Sequence, residues 1–238
     1  MAASAVDIEK VRKGSERDDE THYSRVATRM REEIARGELS PDQWLKVRVL
    51  SERYGVSAAP VREALQILQG EGLISMEHNR GARVCHIDAL RLIHIFDVRE
   101  AIESFLTASF VEIASPHQIN ILEAVQSQHE QAIAGKDYHL AFNINRQFHQ
   151  IINSAPRNYE ALNVLDRHLP LTRALRLSCG FSEMRVQTVQ QEHHQLLDAF
   201  RRHDTEGARR IAAMHVRSSR DDLLSRLPEY FRIPKVTP

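Results

Sequence analysis

The sequence predicts a mainly α protein in two parts: three helices plus a β-hairpin, then an all-α antiparallel bundle of six or seven helices. Three observations predict it. Apolar residues recur every three or four positions through most of the chain after residue 22. Extended character is confined to two short segments, 74–77 and 82–87, on either side of the turn-forming run HNRG. The breaks between helical runs carry sensible chemistry: Gly37, Gly55, Ser115-Pro116, Gly135, Pro156-Arg157-Asn158, Cys179-Gly180 and Asp204.

Taken in order, residues 1–21 are polar and charge-rich without a sustained apolar period, and read as a mobile tail. Val26, Met30 and Ile34 share one helical face, and Gly37 ends that run. Val49, Leu50 and Tyr54 indicate a short helix stopping at Gly55. Ser57 is placed to cap the next helix, Pro60 is tolerated in its first turn, and Val61, Ala64, Leu65 and Leu68 form its buried stripe. That stripe stops near Gly70 and Gly72, and the hairpin follows. Beyond Asp88 the spacing predicts helices over 89–114, 116–134, 137–154, 158–177, 183–202 and 204–226, with connections short enough to make neighbours antiparallel. The expected domains are therefore 22–88 and 89–228, with 229–238 as a proline-containing tail.

Composition narrows the class. Of 238 residues, 42% are hydrophobic and 27% charged, as in an ordinary globular protein. No run of about 18 apolar residues suggests a membrane span, and the first residues lack the apolar core of a signal peptide, so a cytoplasmic protein is expected. Cys85 and Cys179 sit far apart and in no paired motif, which reads as two idle thiols. Basic and acidic residues balance at 32 each, so an indiscriminate nucleic-acid binder is disfavoured, although a dimer needs only a local basic strip. The chain carries 13 histidines, and which of them share a face becomes the useful question.

Helix, helix, tight turn, helix, hairpin is the order of a winged helix-turn-helix. Gly55 in YGVS permits the turn, and Ser57 opens a helix whose first residues would face base edges in the major groove. Arg62, one turn in, has the planar fork that suits guanine or a phosphate. Arg48 lies just before the preceding helix, where phosphates would run, and Asn79, Arg80 and Arg83 lie in or beside the wing. The string GVSAAPVREALQILQGEGLI followed by NRGARV resembles the winged-helix domain of the GntR family over residues 22–88. That resemblance implies DNA contacts from Arg48, Ser57, Ala59, Arg62 and the wing. The family commonly has Arg after the turn serine, whereas Ala58 stands here, which implies an unusual operator sequence or affinity.

In the second part, His149 lies on the stripe of Phe142, Asn145 and Ile152. His193 shares a face with Leu196, Leu197 and Phe200, and His215 shares one with Ala208, Ile211 and Ala212. Three imidazoles thus point from three helices into one interior, where they need partners. A divalent metal ion would satisfy all three, with Asn145 one turn before His149 as a fourth ligand; side chains and water would be the alternative. His194, whose face leads to Arg201, reads as exposed, and Glu192 reads as pointing away from the histidines. The segments NRQFHQIIN, EHHQLLDAF and ARRIAAMHV resemble the FCD-type ligand-binding domain of the FadR subfamily over residues 89–226. Many members hold Zn²⁺ or a similar ion through one Asp and three His, which carries over to Asn145, His149, His193 and His215. Zn²⁺ is the first expectation, with Ni²⁺ or Mn²⁺ as alternatives. Asn145 departs from the usual Asp and removes one negative charge.

Arg99 falls in the stripe of Leu92, Ile95, Phe96, Ile102, Leu106 and Ile113, so its charge requires a partner. Glu103 one turn on is the local candidate. The resemblance implies instead that Arg99 holds an effector carboxylate, with Arg173 and Arg176 either assisting or lying on a solvated face. The expected function is a ligand-responsive transcriptional regulator, dimeric on a near-palindromic double-stranded DNA operator and released by a small carboxylate or sugar acid. Two rivals are a regulator for which the cation itself is the signal and a metal-dependent hydrolase. Against the latter, no phosphate loop, nucleophile elbow or HExxH occurs, and no enzyme is expected.

Overall fold

The computed structural model describes residues 22–77, 80–228 and 231. The chain divides between His86 and Ile87 into two compact units. In the first unit, α1 (His22–Ala35) packs on α3 (Ala58–Gly70), and α2 (Val47–Tyr54) leans on the same helix. The core is Val26, Met30 and Ile34 from α1, Leu50 from α2, and Val61, Ala64, Leu65 and Leu68 from α3, all buried. Val49 is exposed, so α2 contributes a narrower apolar edge than its sequence suggested. The sheet has one strand more than the expected hairpin. β1 (Trp44–Leu45) pairs antiparallel with β3 (Gly81–Val84), which also pairs with β2 (Ile74–Glu77), giving the order β1-β3-β2. Two residues carry too little periodicity to announce β1; its register, Trp44 opposite Arg83 and Leu45 opposite Ala82, is supplied by β3.

Glu33 sits almost fully buried beneath this unit. It accepts a hydrogen bond from the Tyr54 hydroxyl at 2.7 Å and pairs with Arg53 at 3.0 Å and Arg29 at 3.3 Å. Arg31 grips Glu71 with two bonds, at 2.7 and 2.8 Å, which ties α1 to the end of α3.

The second unit is helical throughout its described residues: α4 (Ala89–Ile113), α5 (Pro116–Ala134), α6 (Tyr138–Ser154), α7 (Tyr159–Cys179), α8 (Glu183–Arg201) and α9 (Thr205–Arg226). Each start is specified locally. Asp88, Asp137, Asn158, Ser182 and Asp204 each accept a backbone N–H in the first turn, and Ser115 with Gln118 forms a reciprocal capping box ahead of Pro116. α9 lies along α4 and α8, while α5 lies against α6 and α8. Their shared core includes Phe110, Leu122, Phe148, Ile152, Leu197 and Phe200. Phe110 and Phe200 meet edge to face with centroids 5.0 Å apart. On α4, Leu92, Ile95, Phe96 and Leu106 are buried as expected, but Ile113 is exposed because the helix runs past its cover there. Among the described residues, no helix is long and apolar enough to cross a membrane. Both cysteines are free and half-buried.

Candidate DNA-reading face and metal centre

The turn before α3 is built as the sequence requires. Gly55 adopts φ 67° and ψ 33°, the left-handed region that other residues enter at a cost, and its N–H closes α2 on the Ser51 carbonyl. Ser57 takes the extended backbone of an N-cap, but its side chain makes no capping bond. Ser57, Ala59, Arg62 and Gln66 are exposed along one side of α3, and Val61, Ala64, Leu65 and Leu68 are buried along the other. Arg62 takes no ion-pair partner among the described residues.

The other basic candidates are engaged. Arg48 lies within the first turn of α2 rather than before it, pairing with Glu52 at 2.9 Å with its side chain 83% exposed. Arg83 on β3 reaches Asp42 at 3.2 Å and Glu77 at 3.9 Å and lies over the Trp44 ring. Arg80 in the wing turn is exposed and 3.7 Å from Glu77. Asn79 lies outside the described residues.

In the second unit, α6, α8 and α9 bring His149, His193 and His215 together, with a ligand nitrogen from each lying within 4.8 Å of the others. His149 Nε2 and His193 Nε2 are 3.2 Å apart. Two nitrogens about 2.0–2.1 Å from one tetrahedral zinc would be roughly 3.3 Å apart, so this spacing suits a shared cation. The outer nitrogens are already used. His193 Nδ1 donates to Gln126 Oε1 at 2.7 Å, and the Gln126 amide in turn donates to Glu130 at 2.9 Å. His215 Nδ1 donates to Glu192 Oε2 at 2.7 Å. Both bonds select the tautomer whose Nε2 lone pair faces the interior. Asn145 lies one turn before His149 on α6, and its buried Oδ1 has no hydrogen-bond partner. An orphaned amide oxygen one turn from the first of three clustered imidazoles fits the donor set a divalent cation would complete.

Electrostatics favour the metal-ready form. Burial, ahead of all neighbouring charges, holds His193 and His215 well below the ordinary imidazole range. Burial also pushes His149 down to about 4, with Glu103 opposing and Arg99 and Arg185 reinforcing the shift. Neutral imidazoles are the form that can ligate a cation.

Glu192 does not point away. It is 2% exposed, bonded to His215, and paired with Arg185 at 2.6 Å. The one-stripe reading fails because α8 is covered on two sides: His193 faces α5 through Gln126, and Glu192 faces α9 through His215. Arg185, two turns before Glu192, escaped notice for the same reason. His194 is more than half exposed and bonds Glu130 at 2.6 Å. Arg99 is mostly buried, donates to Glu103 at 2.8 Å and covers the Phe96 ring. Its charge bears on both His149 and His215, lowering the pKa of each. Arg173 is exposed on α7. Arg176 is buried instead, bound to Asp222 and to the Ser219 and Gly180 carbonyls, and so serves packing.

A three-helix reader with a small antiparallel wing, followed by a helical domain with a buried polar cluster, defines the class of winged helix-turn-helix transcriptional regulators. Residues 22–84 match the bacterial regulatory proteins of the gntR family, and residues 94–218 match the FCD domain. The chain belongs to that family, with the reader at its N-terminal side and the FCD domain after it. Over 195 residues it is 22% identical to the uncharacterized HTH-type transcriptional regulator YdhC of Bacillus subtilis, covering 82% of this chain and 87% of that one. Over 105 residues it is 30% identical to the HTH-type transcriptional repressor GlaR of Escherichia coli, covering 40% of this chain and 48% of the other. The solved structure of E. coli McbR/YncC shares the fold, with TM-score 0.66 at 22% identity, covering 87% of this chain and 99% of that one. This protein is accordingly a DNA-binding transcriptional regulator of the GntR/FCD type.

Proposed function

We propose that the chain is a homodimeric repressor that leaves a near-palindromic operator when its FCD domain binds a small carboxylate or sugar acid beside a divalent cation. Residues 22–88 would contact DNA and residues 89–228 would bind effector and form the dimer. The observation that carries this reading is the convergence of His149, His193 and His215 inside the FCD domain, with the orphaned oxygen of Asn145 one helical turn before His149. Asn145, His149, His193 and His215 would hold the cation, Zn²⁺ first and Ni²⁺ or Mn²⁺ otherwise. Bound there, the ion supplies a Lewis-acidic anchor for an anion. Arg99 supports the carboxylate: it is a mostly buried guanidinium, its charge felt by His149 and His215, that could exchange Glu103 for a ligand. The relative GlaR, named as a repressor, supports the sign of regulation. Catalysis is no part of this reading: Glu192 Oε2, the carboxylate oxygen bonded to the cluster, is engaged by His215 and Arg185. The protein would act in the cytoplasm, where its operator is.

Regulation follows from differential affinity: an effector that prefers one spacing of the two readers shifts DNA binding by that preference. The test is fluorescence anisotropy on a duplex selected by the wild-type protein from a random pool, with small carboxylates and sugar acids screened in the presence of Zn²⁺, Ni²⁺ or Mn²⁺. At least one acid should weaken DNA binding by about tenfold in the metal-loaded wild type. The same acid should have no effect on His193→Ala. An acid that acts equally on metal-free protein, or no responsive acid at all, would overturn the proposal.

A further inference from the structure

The charges buried around the three histidines cancel in pairs. Arg185 is matched by Glu192 at 2.6 Å, and Arg99 by Glu103 at 2.8 Å. The candidate ligands add nothing to this balance, since Asn145 is an amide and an imidazole ligates a cation in its uncharged form. A divalent cation entering here therefore brings two positive charges with no ligand carboxylate to meet them. Glu192 is no ligand in this balance: its charge is opposed by Arg185, and its Oε2 is taken by Arg185 and His215. Although its buried Oε1 has no hydrogen-bond partner, Glu192 does not join the group of ligand atoms formed by His149, His193 and His215. An uncompensated buried charge is strongly penalised.

Resting on the metal reading above, we infer that cation and carboxylate bind this protein as an interdependent pair, with Asn145 as the residue that makes metal retention conditional on the anion. An Asp at this position would neutralise half of the incoming charge and let the cation stay alone. With Asn145, the anion completes the charge balance. By linkage, whatever the carboxylate does for the cation's affinity, the cation does equally for the carboxylate's. Metal-free and acid-free protein is then the resting state, and the regulator responds to the two together.

The test uses the full chain and Co²⁺, whose visible absorption reports ligation directly. Co²⁺ is titrated into wild type and Asn145→Asp, in sodium acetate or sodium lactate and, at equal ionic strength, in sodium perchlorate. Carboxylate should tighten Co²⁺ binding to wild type by about tenfold or more, within the usual range of coupling between two sites. In perchlorate, Asn145→Asp should bind Co²⁺ at least about tenfold more tightly than wild type, and its gain from carboxylate should shrink below about threefold. Wild-type binding that is tight and indifferent to carboxylate overturns the coupling while leaving the metal site standing. A variant coupled as strongly as wild type overturns the assignment to Asn145. If neither protein changes the Co²⁺ spectrum in any buffer, the metal site itself is refuted, and the coupling with it.

Discussion

Arg62→Ala is the sharpest probe of the reader. The side chain stands exposed one turn into α3, and no carboxylate among the described residues neutralises it. Its removal should leave the thermal midpoint unchanged, because it is exposed and makes no hydrogen bond or ion pair among the described residues. A good bidentate contact from such an arginine to a guanine discriminates by about 1–3 kcal/mol, which is roughly 5- to 150-fold in affinity at each half-site. The assay is anisotropy on the selected duplex and on a scrambled control at several salt concentrations. Arg62→Ala should lose affinity for the selected duplex far more than for the control. Arg48→Ala should instead weaken both duplexes alike and lower the salt slope by about one, since a phosphate contact carries no sequence information. Arg83→Ala should do least, because Asp42 and Glu77 already hold that guanidinium. Equal losses on both duplexes for Arg62→Ala, or an unchanged footprint and affinity, would refute base reading by this residue.

Three further outcomes follow from the same structure. Phe200→Ala removes a fully buried ring that packs on Phe110, and denaturant unfolding should show a loss of about 3–5 kcal/mol. Gly55→Ala would meet no atom within 4 Å, so its cost should be only the left-handed backbone penalty of about 1–2 kcal/mol, read as a lower midpoint of the N-terminal unit. Metal-free protein should lose stability as pH falls from about 6.5 toward 4. In that window the unfolded chain binds protons that the buried histidines refuse, and His149, held at about 4, accounts for about 3 kcal/mol by itself. Thermal unfolding with a midpoint flat across that window would contradict neutral burial of the triad.

Local chemistry in the sequence determined most of the helical architecture. Asp88, Ser115, Asp137, Ser182 and Asp204 specify helix starts through bonds made within four residues, so they can be read without knowing the fold. The convergence of His149, His193 and His215 was also legible, because each lies on the apolar stripe of its own helix and such stripes must share an interior. Tertiary structure alone decided what lies on a helix flank. Glu192 and Arg185 are buried because α8 is covered by both α5 and α9, and periodicity along one helix does not reveal how many neighbours cover it. The same holds for β1, whose two residues become a strand only because β3 offers them an edge, and for Ile113, which is apolar in pattern yet exposed where its cover ends. Local rules act through bonds a few residues long, whereas burial depends on partners brought from elsewhere in the chain.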